Sequence, residues 1–343
     1  MYRQATGMAL LACAVAAMSG GALAADYALK QKFALGGEGG WDYLTYDARA
    51  NRLFISRGTH VQVVDPDDGS VLGDIPDTAG VHGIALADDL GKGYTSNGRD
   101  NSVTVFDLRT LRTIAKTKVE GGENPDFILY DTASRRVFAF NGRSRNASAI
   151  DAATDRVVAT IPLGGKPEAA VADGRGRVFV NIEDADSLTA IDARNATVLK
   201  TWPLPGCHEP AGLAMDVQNR RLFVGCHNKV LLVVDADSGK AVASLPIGEG
   251  VDANAFDAET RLAFSSQGDG SMTVIREETP DAFAVVQNVA TQRGARTMAL
   301  DPKNHRAYLV TAEFEEAPPA EGQQRPRRTM KPGTFTLLVF GMK

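Results

Sequence analysis

One segment pattern recurs seven times along this 343-residue chain, and the repeat constrains the fold more than any other feature. Each copy has an aliphatic stretch ending near Asp, a turn, an aromatic–aliphatic run and a hydrophobic triplet that closes on Asp. Five closing aspartates lie 42, 44, 41 and 43 residues apart: Asp65, Asp107, Asp151, Asp192 and Asp235. A period near 40 with about four short strands per unit is typical of propeller blades. The sequence therefore predicts an all-β fold, a seven-bladed β-propeller of four-stranded blades.

The ring predicted for residues 25–343, a single domain, closes through its N-terminal strand. Blade seven has no predicted outer strand of its own, and residues 27–37 align without gaps on residues 196–206, the outer strand of blade four with its exit loop. We predict that this N-terminal strand completes the last blade, because an unclosed sheet leaves an edge that invites aggregation. Residues 315–332, rich in proline and charge, are predicted to form a loop inserted in blade seven.

Residues 1–24 have the pattern of a signal peptide. Arg3 gives a basic start, residues 8–18 are apolar, and residues 22–24 form a small-x-small cleavage site. Cys13 lies in a stretch that resembles a lipoprotein cleavage box, but the residues after it stay apolar, so lipid anchoring is the less favoured interpretation. We expect an exported protein without a membrane span, since no later stretch approaches the roughly 20 apolar residues that a span needs.

The charge balance argues against nucleic acid as a partner. The chain has 37 basic and 42 acidic side chains, a formal net charge of −5. Binding to phosphate backbones or anionic lipid requires a basic surface.

One register position in the predicted inner strands carries an ionisable side chain in six of the seven blades. It lies five residues before the strand's Asp or its equivalent, at Asp42, His82, Asp126, Glu168, Asp252 and Arg296, with Ala211 in blade five. Since every inner strand begins on the same face, we expect these side chains to surround one mouth of the channel. Convergent polar groups in a concave site are typical of small-ligand binding.

The composition of this set favours a cationic or metal-bearing ligand, because four carboxylates face one arginine and one histidine. We expect the protonated form of His82 to be favoured between Asp42 and Asp126. The alternative is that all six are solvated residues at strand starts, with Arg296 merely neutralising its neighbours.

Two cysteines outside the leader, Cys207 and Cys226, are predicted to form a disulfide. Cys207 precedes the inner strand of blade five and Cys226 ends its second strand, so both should lie on the same face of the blade, close enough for a bond. In an oxidising exported compartment, two thiols placed in this way usually pair. A competing metal site would add His208 and His227. Adjacent side chains on a strand point to opposite faces, so we predict no metal there, and we predict no cofactor.

Two stretches resemble the repeat unit of the YVTN-repeat β-propeller family. They are AIDAATDRVVATIPLGGKPEAAVADGRGRVFVN (residues 149–181) and VDADSGKAVASLPIGEGVDANAFD (residues 234–257). The segments GCHEPAGLAMD, RRLFVGCHNK and GARTMALDPKNHRAYLVTAEF are similar to a periplasmic bacterial subgroup. The resemblance covers essentially all of the mature chain and implies a seven-bladed propeller in the periplasm. It implies little chemistry, because the family spans binding proteins and has many members without assigned activity.

We therefore predict a monomeric, exported binding or scaffold protein that recognises a small ligand or an exported protein partner at the channel mouth. Two alternatives remain open. One is a lactonase-like hydrolase in which His82, with Asp126 or Glu168, activates a water. The other is a periplasmic metal-handling protein. Catalysis is the less favoured, because the sequence has no nucleophile motif, zinc-protease helix, phosphate loop or dinucleotide fingerprint.

Overall fold

Seven four-stranded antiparallel sheets make up a β-propeller in the computed structural model, which describes residues 26–317 and 327–343. This confirms the predicted fold class. The predicted signal peptide, residues 1–24, lies outside the described residues. No helix in the described part of the chain is long and apolar enough to cross a membrane.

The strands follow the chain blade by blade. The first strand is β1 (Tyr27–Ala34). Blade one consists of β2 (Leu44–Asp47), β3 (Arg52–Ser56), β4 (Val61–Val64) and β5 (Val71–Ile75). Blade two consists of β6 (Val81–Ala87), β7 (Lys92–Asn97), β8 (Ser102–Asp107) and β9 (Thr113–Lys118). Blade three consists of β10 (Pro125–Asp131), β11 (Arg136–Asn141), β12 (Asn146–Asp151) and β13 (Arg156–Pro162).

Blade four consists of β14 (Pro167–Ala172), β15 (Arg177–Ile182), β16 (Ser187–Asp192) and β17 (Thr197–Pro203), with a 3-10 turn at Glu183–Ala185. Blade five consists of β18 (Pro210–Asp216), β19 (Arg221–Cys226), β20 (Val230–Asp235) and β21 (Ala241–Pro246). Blade six consists of β22 (Val251–Asp257), β23 (Leu262–Gln267), β24 (Ser271–Thr279) and β25 (Ala282–Ala290). The remaining strands are β26 (Met298–Asp301), β27 (Arg306–Thr311), β28 (Phe314–Ala317), β29 (Arg327–Met330) and β30 (Thr336–Met342).

The aromatic–aliphatic run of the repeat explains how the blades pack. Its aromatic residue occupies the same place in the second strand of all seven blades and is fully buried: Phe54, Tyr94, Phe138, Phe179, Phe223, Phe264 and Tyr308. The described residues form seven buried hydrophobic clusters, one at each junction between adjacent blades. Each sheet therefore packs on both faces, which is why its central strands are buried along almost their whole length.

Ring closure occurs where it was predicted. Strand β1 pairs antiparallel with β30, from Tyr27 opposite Met342 to Ala34 opposite Thr336, and the last sheet has the order β1-β30-β27-β26. Tyr27 also reaches blade six, where its ring packs edge-on against Phe264 at 4.9 Å. The side chain of Gln287 in β25 accepts from the backbone N–H of Tyr27 and donates to its carbonyl, both at 2.9 Å. The N-terminal strand thus links two blades.

A buried arginine anchors the segment between β1 and blade one. Arg57 donates to the carbonyls of Gly36 and Glu38 at 3.2 and 3.0 Å, and its guanidinium stacks on the Phe335 ring at 3.7 Å. Burial lowers the pKa of Arg57 to about 10. The closing strand is therefore held to the first blade as well as the last.

The proline-rich stretch at residues 315–332 differs in part from the predicted loop. Its flanks form a two-stranded hairpin, β28 with β29, while residues 318–326 lie outside the described residues. The apolar side chains of Phe314 and Met330 pack with Trp41 against the junction of blades seven and one. The sequence did not predict this hairpin, because the stretch is mostly polar and charged and its two anchoring apolar residues, Phe314 and Met330, lie 16 positions apart.

Replacing the buried anchor of the closing strand tests this architecture. Tyr27→Ala removes a side chain that is 1% exposed, so the free energy of unfolding should fall by about 3–5 kcal/mol, as for other buried aromatic residues. Leu29→Ala is the matched control, because Leu29 lies in the same strand and is 48% exposed. Urea unfolding of both variants would contradict this role if Tyr27→Ala were as stable as Leu29→Ala.

Glu277, in β24, is a buried carboxyl without a basic ion-pair partner among the described residues. It is 1% exposed and accepts one hydrogen bond from Asn219 at 2.9 Å. Burial, and then the negative charge of Asp216, raise the pKa of Glu277 from 4.5 to about 7, although Asn219 and Arg261 oppose the shift. The folded protein therefore keeps a proton over a range where the unfolded chain has lost it.

Stability should accordingly fall as the pH rises from about 4.5 to about 7, since the native state binds more protons there than the unfolded state. Glu277→Gln should remove the contribution of Glu277 to this loss of stability. The variant should therefore be more stable than the wild type near pH 7, where Glu277 ionises in the wild type. Glu278→Gln, the exposed neighbour, is the control. Melting temperatures across the range would contradict the assignment if the two variants showed the same pH dependence.

Candidate functional site

The six predicted side chains lie together at one end of the channel, and we call them the mouth ring: Asp42, His82, Asp126, Glu168, Asp252 and Arg296. Four of them sit at irregularities in strand pairing, where the register of β6, β10, β14 and β22 shifts directly after the first paired residue. Such bulges redirect a side chain that regular pleating would place elsewhere. The other two, Asp42 and Arg296, precede β2 and β26 by two residues.

Polar side chains from the second strands hold the backbone of the mouth ring. The hydroxyl of Ser56 accepts from the N–H of Asp42 at 2.9 Å. The hydroxyl of Ser96 accepts from the N–H of Gly83 at 2.9 Å and donates to the carbonyl of Asp126. Corresponding residues Asn181 and Ser266 bridge to the inner strands of blades five and seven. Sequence reasoning missed these supports, although a repeated Ser or Asn in an apolar strand was a usable signal.

His82 lies between two carboxylates. Its Nδ1 is 2.7 Å from Oδ2 of Asp42 and 3.6 Å from Oδ1 of Asp126. Burial lowers the pKa of His82, but the hydrogen bond to Asp42 and the charges of Asp126 and Asp42 outweigh it, so the net shift is upward. The predicted preference for imidazolium is therefore supported. Gly98 leaves room for the ring, because a Cβ there would lie 2.9 Å from Nε2 of His82.

The two permanent cations of the site are paired with other carboxylates. Arg296 Nε contacts Oδ2 of Asp252 at 2.8 Å. Lys166, which sequence analysis did not single out, contacts Oε1 of Glu168 at 2.6 Å and also contacts Glu183 from the 3-10 turn. The predicted neutralisation by Arg296 thus occurs at Asp252.

Burial makes the ionised forms of the mouth-ring carboxylates costly. It raises the pKa of both Asp126 and Asp252 to about 6, against the lowering effects of His82 and Arg296 respectively. The pKa of Glu168 is also raised, by burial and by the charge of Asp126, despite Lys166. When all groups are ionised, five carboxylates including Glu183 face Lys166, Arg296 and His82.

A cavity of about 210 Å³ continues from the mouth ring into the channel and is lined by residues of all seven inner strands. Tyr43 and Phe127 pack edge-to-face across it with ring centroids 5.1 Å apart. Burial, followed by the charges of the four mouth-ring carboxylates, raises the pKa of Tyr43 well above its usual value. Tyr43 and Phe127 thus form an aromatic pair in the channel lining close to the carboxylates, and we call this pair the aromatic floor.

A second cavity of about 360 Å³ adjoins the mouth ring on the side of blade seven. Arg296 borders it together with Trp41, Phe314 and Met330. The β28–β29 hairpin therefore forms one wall of a pocket beside the channel mouth.

The predicted disulfide joins Cys207 to Cys226 on blade five. Both sulfurs are therefore used, and the competing metal site with His208 and His227 cannot draw on thiolates. Each imidazole instead pairs with a carboxylate at 3.0 Å, His208 with Asp186 and His227 with Glu209.

The disulfide closes a loop with a sequence separation of 19. Replacing both cysteines by Ala should lower the free energy of unfolding by about 3 kcal/mol, the loop-closure entropy for a loop of this size. Chemical unfolding should give the same free energy of unfolding for this variant and for the wild type in the presence of reductant. Alkylation of either thiol in denatured, unreduced wild-type protein would contradict the bond.

One group of possible metal ligands occurs among the described residues. Asp42, His82 and Asp126 each place a donor atom within 4.8 Å of the other two, and all three side chains are half-buried. Two carboxylates and one imidazole are a donor set that divalent transition metals accept.

Comparisons with known proteins support the fold and leave the chemistry open. No family model matches the chain. It is 24% identical over 193 residues to proteins named "Uncharacterized protein YncE" from Salmonella typhi and Salmonella typhimurium, covering 54% of this chain and 54% of each relative. The chain thus spans about half the length of the curated relatives it matches. A solved structure, Kuenenia stuttgartiensis hydrazine synthase, superposes with a TM-score of 0.68 at 16% identity, over 79% of this chain and 92% of that chain. This likeness is one of fold alone.

Proposed function

We propose that this chain is an exported binding protein that captures a small cation at the mouth ring. The observation that carries the proposal is the convergence of five half-buried carboxylates on Lys166, Arg296 and His82. Charges in such a site are costly unless an opposite charge accompanies them. A bound cation would supply the missing positive charge and gain binding energy from it.

The size and lining of the channel support a small ligand. A cavity of about 210 Å³ below the mouth ring suits a metal ion or a short organic cation. Its aromatic floor, Tyr43 and Phe127, adds π faces that attract organic cations. The Cys207–Cys226 bond fits an oxidising compartment, as expected for an exported protein.

Binding fits the geometry better than the lactonase-like alternative. A general base needs an imidazole that is neutral and within reach of a water. His82 instead points Nδ1 at two carboxylates that favour its protonated form. The protonated ring is suited to charge balance rather than to activating water.

Titration with small cations tests the proposal. Putrescine, choline, Ca²⁺ and Zn²⁺ would be titrated calorimetrically into wild-type protein and into the double variant Asp126→Asn/Glu168→Gln. At least one of these cations should bind, and the double variant should bind it at least ~10-fold more weakly, because two partly desolvated carboxylates lose their charge.

The control is Asp67→Asn/Asp237→Asn, which changes the net charge equally on the opposite face, in turns between third and fourth strands. It should bind as the wild type does. The proposal is overturned if none of the cations binds, or if both double variants bind equally well.

A further inference from the structure

The ion pairs of the mouth ring are distributed unevenly, and this asymmetry separates one part of the ring from the rest. Glu168 and Asp252 each contact a permanent cation, Lys166 or Arg296. Asp42 and Asp126 do not: in the described part of the chain their ion-pair partner is His82, which they share. Two carboxylates and one imidazolium sum to a charge of −1 in a half-buried site.

We propose that Asp42, His82 and Asp126 bind one divalent transition-metal ion of the Zn²⁺ type. The proposal rests on the proposed function, since it names the cation that the mouth ring takes. Binding replaces the proton of the imidazolium: M²⁺ joins the freed Nδ1 lone pair and the two carboxylates, and one H⁺ is released. The charge of this group then changes from −1 to zero, as the balance of two carboxylates, a neutral imidazole and M²⁺ requires.

The two donor distances from Nδ1 of His82 suit a single ion. With metal–ligand distances of about 2.0–2.1 Å, separations of 2.7 Å and 3.6 Å from Nδ1 correspond to angles of roughly 80° and 120° at the metal. A small rotation of Asp42 would bring the narrower angle toward tetrahedral. Three protein ligands leave a coordination position for water or for a donor of a further ligand, as in open zinc sites.

The three ligands come from adjacent blades whose backbones are fixed to one another. The backbone N–H of Tyr43, next to Asp42, donates to the carbonyl of His82 at 3.3 Å, and the Ser96 hydroxyl joins the residue after His82 to the carbonyl of Asp126. The ring of His82 is oriented by the contact of Nδ1 with Oδ2 of Asp42 at 2.7 Å, and Gly98 leaves room for its Nε2 side. Ligands held in this way lose little conformational entropy when the ion binds, a condition for a specific metal site.

The ligand types argue for a transition metal rather than an alkaline-earth ion. Ca²⁺ takes six to eight oxygen ligands, and Mg²⁺ prefers oxygen and water. An imidazole nitrogen suits Zn²⁺, Cu²⁺, Ni²⁺ or Co²⁺. Zn²⁺ and Co²⁺ also accept the low coordination number that three side chains from one channel rim can supply.

Metal titration of the full mature protein, treated with chelator and dialysed, tests the assignment. Zn²⁺ should bind with a stoichiometry of one and raise the melting temperature. Co²⁺ should give visible absorption bands that report nitrogen and oxygen ligation. His82→Gln and Asp126→Asn should each weaken Zn²⁺ binding at least ~10-fold and abolish the Co²⁺ spectrum, while far-ultraviolet circular dichroism shows that both variants remain folded.

His208→Gln is the matched control, since His208 lies on the rim of blade five on the same face and also pairs with a carboxylate, but lies outside the mouth ring. It should leave Zn²⁺ binding unchanged. The inference is overturned if Zn²⁺ does not bind saturably, or if His82→Gln binds it as His208→Gln does. In either case, saturable binding of putrescine or choline would leave the proposed function standing, whereas failure of every cation would end both.

Discussion

The antiparallel pairing of β1 with β30 is the contact on which the rest of the structure depends. Only a closed ring holds seven inner strands at fixed positions around one channel. The β1–β30 pair lies within the sheet of blade seven, and it fixes blade seven against blade one along a junction that we call the seam. The mouth ring crosses this seam, because Asp42 comes from blade one and Arg296 precedes the inner strand of blade seven. The hydroxyl of Thr297 donates to the carbonyl of Asp42 at 2.8 Å across it. Closure therefore builds the candidate site as well as the fold.

The hydrophobic junctions and the mouth ring have opposite energetic roles. Seven apolar clusters, each wedged by buried aromatic side chains, provide the burial that stabilises the propeller. The mouth ring places carboxylates close together and adjoins Ser and Asn side chains in otherwise apolar second strands. Each of these departures from the regular repeat costs stability locally. Their concentration at one end of one channel is the pattern expected of a functional site in an otherwise consistent fold.

The fold could be predicted from sequence because its signals are local and repeated. The period near 40 gives the blades, and the match between residues 27–37 and an ordinary outer strand gives the closure. The mouth-ring positions followed from register alone. The ion pairs within the mouth ring could not be predicted, because they depend on how far each side chain extends toward its neighbours in other strands and blades. Lys166 reads as an ordinary loop residue two positions before Glu168, yet it neutralises that carboxylate and leaves Asp126 to His82. The channel floor, Tyr43 and Phe127, likewise looked like ordinary strand residues.

The cation that Asp42 and Asp126 share is a histidine, His82, and this residue type decides whether a bound cation can replace it. The charge of Asp252 raises the pKa of Arg296, and a guanidinium offers no lone pair, so Arg296 is a fixed partner of Asp252. Lys166 is held by two glutamates. His82 differs from both, because once its proton leaves, the same Nδ1 becomes a ligand atom facing two carboxylates. If blades one to three needed only neutralisation, an arginine would serve. A histidine there gives the ring one positive charge that an incoming cation can displace.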